Sequence, residues 1–497
     1  MFWQQLKTII NSHQASVYLV GGFWRDLFLG KASKDLDLMV MGDVKDLAEK
    51  LSVSLEATLI TLDQDHEIYR LVIKGEDAPF NEIDLAKMQG NTFEEDLAKR
   101  DLTFNAMAYL LEGESIDQLK LLIEKDNQEL EQDYSELLNS LEILDPYEGK
   151  KDLAQRVIRL IKDDTLRKDP LRLLRCGRFL ALLDGQIEKN TLKAIHRDKD
   201  EINRVSRERV REELFALLRF ETSFKYLQIM DEDWGLIPEI FPTVRDMKQT
   251  EQNFHHVVDV WTHCLYVYKA LEEIYLDMDF LGERLKQPLE EYLSEALAGK
   301  GRTKREILKL VALFHDIGKV KTKQTRDDGR ITFYGHDLQG SEEVKEIASS
   351  LVLSNKEISW ISLIVKGHMR PLQLLSLPSV SRRAKFRLFK EYGTDVLGIF
   401  LLSLADLKAK QYFKSNEKEK HRFQTLIKEL MEEFIFAGES FSPPKILSGK
   451  EILSSYPEMP RKKLGPILGA LEEAQVLGLV ENRTTALHFV ESMMKEK

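Results

Sequence analysis

The chain is 497 residues long, 43% hydrophobic and 31% charged, too long for one compact domain and too apolar for a disordered one; at about 150 residues per domain it predicts three or four. Lys and Arg number 72 against 83 Asp and Glu, and the net charge of -11 excludes a protein that coats nucleic acid indiscriminately. The two cysteines, Cys176 and Cys264, are too few for a disulfide scaffold or a Cys-rich zinc module and suit the reducing cytoplasm, where the chain is expected to reside. The start, MFWQQLKTII, lacks a basic segment before a long apolar core, and the longest apolar stretch, VLGIFLLSLA from Val396, falls short of the roughly 18 residues of a membrane span, so no membrane association is expected.

Charge is unevenly spread. Residues 1–149 hold 13 basic and 30 acidic residues, 150–213 hold 18 and 12, and 214–497 hold 41 of each, so an acidic head precedes one basic stretch. The head is predicted as mixed α/β, with β-rich runs SVYLVGG, DLDLMVMG and EIYRLVIKG separated by helical patterns such as VKDLAEKLS. From Asp152 onward the period is mainly 3.6: DLAQRVIRLI, PLRLLRCGRFLALL and RERVREELFALL each predict an amphipathic helix. Breaks are expected near DPYEGK (145–150), in the polar stretch 243–253 and at ESFSPPK (439–445).

The most informative segment is VYLVGGFWRDLFLGKASKDLDLMV, residues 17–40. A strand ends at Gly21-Gly22, a helix carries Arg25 and Asp26, and a second strand carries Asp35 and Asp37. Residues two apart on a strand share one face at roughly 6.6 Å, so the two carboxylates can converge on one metal site. Nucleotidyl transfer needs such a pair to hold Mg²⁺ ions, which activate a hydroxyl and neutralise the departing pyrophosphate. Paired glycines leave room for a triphosphate, the helix start offers free N–H groups, and Arg25 adds a fork of donors. Singly, an Asp-Leu-Asp strand edge or a Gly-Gly turn is commonplace; the strand, Gly-Gly, helix, strand order makes the combination specific. No G-x-x-x-x-G-K-[ST] supports a P-loop instead. Asp84, in NEIDLA, is a candidate third acid.

GGFWRDLFLGKASKDLDLMV resembles motif A of the class II tRNA nucleotidyltransferases and bacterial poly(A) polymerases, members of the polymerase β superfamily. KRDLTFNAMAY (99–109) resembles their motif B, DPYEGKKDLAQRVIR (145–159) motif C, KDPLRLLRCGRF (168–179) motif D and ERVREEL (208–214) motif E, all in family order. The resemblance implies an α+β protein: a mixed-sheet nucleotidyltransferase head (1–145, with a charged helical insertion at about 115–140), then an all-α nucleotide-selecting and RNA-binding region (146–245), an HD domain (254–435) and a small C-terminal helical module (440–497). It implies Asp35 and Asp37 as the Mg²⁺-holding catalytic pair, and nucleotide contacts from Gly21, Gly22, Arg25, Arg100, Asp101, Asn105, Asp145, Asp169, Arg172, Arg175 and Arg178.

In this family an Asp and an Arg of motif D present a Watson–Crick-like edge to the incoming base, and Asp169 and Arg172 match; three residues apart on a helix, they would lie side by side. A carboxylate accepts from the exocyclic amine of C or A, whereas U would face it with a carbonyl, at a cost of about 1–3 kcal/mol. CTP and ATP are the expected nucleotides. The Arg-rich helices of 150–213 are expected to meet a tRNA acceptor arm through its shape and phosphates; no protein partner is expected. Two departures stand out. Lys168 replaces the family's usual glutamate before the motif D aspartate, and only LAKMQGN separates Asp84 from Thr92, where CCA-adding members usually carry a longer flexible loop. The short connection resembles the CC-adding specialists. The expected activity is C addition to the tRNA 3' end, as CC or full CCA; a poly(A) polymerase or A-adding enzyme is the alternative, and a protein uridylyltransferase with an HD domain a more remote one.

A second signature runs from VWTHCLYVY through ILKLVALFHDIGK, YGHD and KGHMR to LLSLADLKAK. It supplies His263, His315, Asp316, His336, His368 and Asp406, a set suited to a divalent transition metal whose bound water becomes a nucleophile near neutral pH. The order resembles the HD phosphohydrolase superfamily, which implies an accessory metal-dependent phosphohydrolase acting on a phosphoester. The 2',3'-cyclic phosphate that some members of the nucleotidyltransferase family hydrolyse is one such substrate.

Overall fold

Apolar side chains at alternate positions turn Ser16–Val20, Asp35–Met41, Ile68–Val72 and Glu82–Lys87 into strands with one buried face. The protein is described here by a computed structural model covering residues 1–74, 79–124, 131–252, 258–299, 301–413, 416–436, 441 and 443–495. Contacts divide the chain into two units, residues 1–205 with 234–236, and 206–233 with 237–497.

The first unit runs α1 (Phe2–Ser12), β1 (Ser16–Val20), α2 (Gly22–Phe28), β2 (Asp35–Met41), α3 (Val44–Ser54), β3 (Thr58–Asp63), β4 (Ile68–Val72), β5 (Glu82–Lys87), α4 (Phe93–Leu97), β6 (Ala108–Leu110), α5 (Glu114–Glu124), α6 (Glu131–Ser140), α7 (Gly149–Ala154), β7 (Val157–Ile158), α8 (Thr165–Lys168), α9 (Arg172–Leu183), β8 (Gln186–Ile187) and α10 (Lys189–Asp198). Its sheet has the order β3-β4-β5-β2-β1-β6 and is mixed, because β2 and β5 are parallel while the other neighbours are antiparallel. Leu36 pairs with Ile83 and Leu38 with Leu85 across β2 and β5, all four buried, so Asp35 and Asp37 must point to the opposite face. Asp43 caps α3 by accepting from the Asp46 amide at 2.9 Å, and Leu47 and Leu51 of that helix are fully buried.

The expected insertion is helical: α5 buries Ile116, Leu119 and Leu122 at three-residue spacing, and residues 125–130, between α5 and α6, lie outside the described residues. The helix expected over DLAQRVIRLI does not run through. It stops at Ala154, Arg156 turns with φ +54°, and Val157–Ile158 pairs in parallel with Gln186–Ile187. Gln186 donates to the Arg156 carbonyl at 2.9 Å, and a Cβ on Gly185 would stand 2.0 Å from that oxygen, so a close tertiary approach overrides the local helical period.

The second unit is nearly all helical: α11 (Arg207–Leu218), α12 (Phe224–Gln228), α13 (Ile237–Ile240), α14 (Thr243–Gln249), α15 (Val260–Leu276), α16 (Glu283–Ser294), α17 (Lys304–Phe314), α18 (Lys319–Thr322), α19 (His336–Ser350), α20 (Asn355–Gly367), α21 (Arg370–Leu375), α22 (Arg382–Tyr392), α23 (Val396–Phe413), α24 (Glu417–Phe436), α25 (Gly449–Ser455), α26 (Arg461–Val476) and α27 (Arg483–Lys495). The polar stretch 243–253 is not wholly a break: α14 occupies its first half because Val244 and Met247, three apart, are fully buried. At the break expected over 439–445, residues 443–445 have no regular secondary structure, while 439, 440 and 442 lie outside the described residues. VLGIFLLSLA forms most of α23, whose residues from Val396 to Leu407 are all buried, as a helix apolar on every side must be. It packs against α15 and α20. No described helix is long and apolar enough to cross a membrane.

Candidate functional site

The strand alternation of β2 brings Asp35 and Asp37 to one accessible face, and the parallel register sets Asp37 opposite Asp84 and Asp35 opposite Glu82. Four acids thus share one patch. Arg70 of β4 engages two of them, donating a bidentate pair at 2.8 Å to Asp84 and lying 2.7 Å from Glu82 Oε2. Asp84, the candidate third acid, is therefore held by a guanidinium. Although Asp37 keeps solvent contact, its carboxyl is crowded: burial raises its pKa, Asp84 and Asp35 raise it further, and Arg100 and Arg25 oppose them. A divalent cation would relieve this repulsion, and the hard carboxylate oxygens suit Mg²⁺.

Gly21 is an enforced glycine. Its φ is +82°, and a Cβ would stand 3.0 Å from both Arg100 Nη1 and Asp37 Oδ2. Gly22 opens α2, where a Cβ would stand 3.0 Å from Arg25 Nη2. Arg25 pairs with Asp26 at 2.7 and 2.9 Å and donates to Asn105 Oδ1 at 2.9 Å. Asn105 donates in turn to the buried Asp101, whose other oxygen accepts from Arg175 Nε at 2.6 Å. Burial of Asp101 acts to raise its pKa, but the Arg175 charge and the Asn105 hydrogen bond outweigh it and leave the carboxyl lowered. The guanidiniums of Arg25, Arg175 and Arg178 lie 4.9, 5.3 and 4.3 Å from the centre of the fully buried Phe179 ring, so one aromatic organises three of the expected phosphate-facing arginines.

Asp169 and Arg172 are adjacent, though not as neighbours on one helix. Asp169 is extended (φ -142°, ψ 96°) because it precedes Pro170, and Arg172 begins α9. The turn between them is closed by Arg172 N–H donating to the Asp169 carbonyl at 3.1 Å, with Arg172 Nε 4.0 Å from Asp169 Oδ2. The Lys99 carbonyl accepts from Arg172 Nη2 at 2.6 Å, tying the pair to the segment that carries Arg100 and Asp101. The Asp145 oxygens accept from the Gly149 and Lys150 amides at 2.6 and 2.9 Å and so shape the entry to α7. LAKMQGN leads from β5 into a short capped turn, in which Gln89 N–H donates to Asp96 and Asn91 N–H to Glu95, each at 2.8 Å.

In the second unit all six histidine-aspartate residues converge, and all are buried. His263 Nε2 lies 3.0 Å from Asp406 Oδ1 and 3.5 Å from Asp316 Oδ2; His336 and His368 Nε2 lie 3.3 and 3.6 Å from Asp316 Oδ1. Asp316 is common to two potential ligand groups, one with His263 and His315, the other with His336 and His368. The Nδ1 atoms of His315, His336 and His368 each meet a backbone carbonyl three residues upstream, at 2.9, 2.8 and 2.6 Å. That contact places the proton on Nδ1 and turns the Nε2 lone pair toward the cluster. His315 Nε2 is buried without a hydrogen bond, and burial holds the imidazole's pKa down to about 3, in the neutral form a metal requires. The donor set therefore fits a divalent transition metal.

Three functional neighbours escaped the reading of the sequence. Lys319 Nζ donates to Asp316 Oδ2 at 2.5 Å and Lys410 Nζ to Asp406 Oδ2 at 2.8 Å. Both follow their aspartates at helical spacing, three and four residues on, which was a usable signal. Arg70 carried none, because its partner is set by strand register.

Known proteins resemble the chain along its length. Residues 17–159 match the Poly A polymerase head domain, 186–247 the probable RNA and SrmB-binding site of polymerase A, and 260–392 the HD domain. The A-adding tRNA nucleotidyltransferase of Deinococcus radiodurans is 28% identical over 484 residues, 96% of this chain and 95% of that one. The CC-adding tRNA nucleotidyltransferase of Thermus thermophilus is 26% identical over 479 residues, 95% and 92% of the two chains. Among solved structures, a CCA-adding enzyme in complex with ATP has a TM-score of 0.65 at 20% identity over 99% of this chain and 95% of its own, and the Thermotoga maritima CCA-adding enzyme complexed with tRNA-CCA a TM-score of 0.59 with the same identity and coverage. These two share the fold. With its five motifs in order and its head, RNA-binding and HD domains in sequence, the chain belongs to the class II tRNA nucleotidyltransferase and poly(A) polymerase family.

Proposed function

We propose that the protein adds cytidylate to the 3' end of tRNA without a nucleic-acid template, with residues 1–145 as catalytic head and 146–245 selecting the base and meeting the RNA. The observation that carries this reading is the pairing of Asp35 and Asp37 on one accessible strand face beside the Gly21–Gly22 turn. Mg²⁺ bound there would supply charge neutralisation and an activated 3'-hydroxyl. Arg25, Arg100, Arg175 and Arg178 bind and orient the triphosphate, with Asn105 holding Arg25 and Asp101 holding Arg175 in place. Asp169 and Arg172 read the base edge of CTP, and UTP is refused because its carbonyl would meet the Asp169 carboxylate.

The compact turn after β5 favours CC addition, since it leaves no long loop between motifs A and B. The full-length likeness to an A-adding relative favours adenylation as the second reading. The HD cluster, 254–435, is proposed as a metal-dependent phosphohydrolase, on the strength of its converging Nε2 atoms around Asp316. Offering tRNAs that lack CCA, CA or A to the protein with CTP and ATP separately, then sequencing the products, tests the assignment. Two cytidines on the first substrate and no adenosine on the last are expected; adenylation of the CC-ended tRNA would reassign the subtype, and inertness toward all three would refute the transferase.

A further inference from the structure

Arg70 stands in line with the catalytic strand. Across the sheet it lies opposite Asp84, and Asp84 lies opposite Asp37, so one cation and two acids form a row over β4, β5 and β2. Antiparallel neighbours such as Arg70 and Asp84 have Cβ atoms about 4.5–5.5 Å apart. The guanidinium forks onto Asp84, with Nε and Nη2 each donating at 2.8 Å, while Nη1 reaches diagonally to within 2.7 Å of Glu82 Oε2. All three of its nitrogens are engaged by two acids, and both Asp84 oxygens by one cation. Asp35 and Asp37 differ: among the described residues no cation forms an ion pair with either. The Asp84 hydrogen bonds raise the pKa of the guanidinium, so its charge is permanent. Four acids on one face are thus sorted into two pairs, one neutralised from within the sheet and the other open. A fixed guanidinium beside the open pair repels a divalent cation and withholds two carboxylates that could enter its shell. Mg²⁺ keeps much of its water and is commonly held by one or two carboxylates together with substrate phosphates, which is what the open pair can offer.

We propose that Arg70 is a positioning residue of the transfer centre: by holding Asp84 and Glu82 it confines the metal's protein ligands to Asp35 and Asp37, so that the cation is retained only together with the triphosphate. The role rests on the reading of Asp35 and Asp37 as the metal-holding pair. Between turnovers the two carboxylates then stay open to the next metal-bound nucleotide.

The test is titration of the full chain with Mn²⁺, followed by electron paramagnetic resonance, without nucleotide and with CTP. Binding that disappears on Asp37→Asn belongs to the transfer centre, which separates it from the histidine-aspartate cluster. The wild type is expected to bind Mn²⁺ at this centre about tenfold or more tightly with CTP than without it. Arg70→Gln, at a side chain 34% exposed, should tighten the nucleotide-free binding by about tenfold, and adding Asp84→Asn should reverse the gain. A merely structural arginine would give no such gain, since its loss can only loosen the site. Asp84→Asn alone, in the otherwise unaltered chain, should shift Mn²⁺ affinity by no more than about threefold. This second variant decides the matter should Arg70→Gln fail to fold. Nucleotide-free binding as tight in the wild type as in Arg70→Gln overturns the role of Arg70, and so does a loss in Asp84→Asn as large as that in Asp37→Asn. Mn²⁺ binding with CTP that survives Asp37→Asn and Asp35→Asn alike instead refutes the metal-holding pair itself.

Discussion

Asp37→Asn is expected to lower nucleotide addition by about a thousandfold, the equivalent of roughly 4 kcal/mol of transition-state stabilisation, without lowering the melting temperature. The two effects have separate causes. The amide cannot hold Mg²⁺ as the carboxylate does, and Asp35 alone cannot replace the pair. Stability moves the other way because the folded-state pKa of Asp37 is raised, by burial first and then by Asp84 and Asp35. A carboxyl with a raised pKa binds its proton more tightly in the folded chain, so its ionisation costs stability once the pH exceeds the folded value. The variant should match or exceed the wild type in metal-free thermal melts at pH 7, and its advantage should vanish as the pH falls below the ordinary Asp value of 3.8. A variant that loses activity together with a large part of its stability would show that Asp37 serves the fold rather than the chemistry.

Asp316→Ala is expected to abolish phosphoester hydrolysis, leave nucleotide addition intact, and destabilise the metal-free second unit by about 3–5 kcal/mol, the usual consequence of removing one partner from a buried ion pair. Lys319 would remain buried with Gln252 Oε1, 2.8 Å away, as its neutral partner, and His336 and His368 would lose the carboxylate they face. Burial acts to raise the pKa of Asp316, but the charge of Lys319 is the largest influence opposing it, and the carboxyl is held well below the ordinary value. This stabilisation is therefore present above pH 3.8 and lost as the pH falls through the lower folded value, so wild type and variant should converge in acid. Urea unfolding in chelator at two pH values, with both activities assayed in parallel, measures all three effects. Equal loss of both activities would mean that the two centres are not independent.

Local chemistry was readable where a short segment decides the outcome. Alternating Leu and Asp set both the strand and the facing of Asp35 and Asp37, and Gly21 announced a turn that no side chain could occupy. The histidine-aspartate cluster was legible because each of its six residues sits at a helix end or on a helix in a short recognisable run. Long-range pairing was not legible. The 3.6-residue period of DLAQRVIRLI is real, yet Arg156 and Gly185 approach too closely for a helix to continue, and nothing in residues 152–161 records that. Asp84 was legible as a candidate third acid, but its partner Arg70 was not, since Arg70 lies on the next strand, brought alongside by register alone. Asp169 and Arg172 were rightly placed side by side but for a different reason, since Pro170 ends one helix before the other starts.

The most direct test is a crystal of the protein soaked with CTP and Mn²⁺ in place of Mg²⁺, with the metal located by its anomalous signal. The expected result is metal bound between the Asp35 and Asp37 carboxylates and the triphosphate oxygens, with the cytosine edge against Asp169 and Arg172. Metal and triphosphate bound elsewhere, with both carboxylates turned away from them, would contradict the assignment of this strand face as the nucleotidyl-transfer centre.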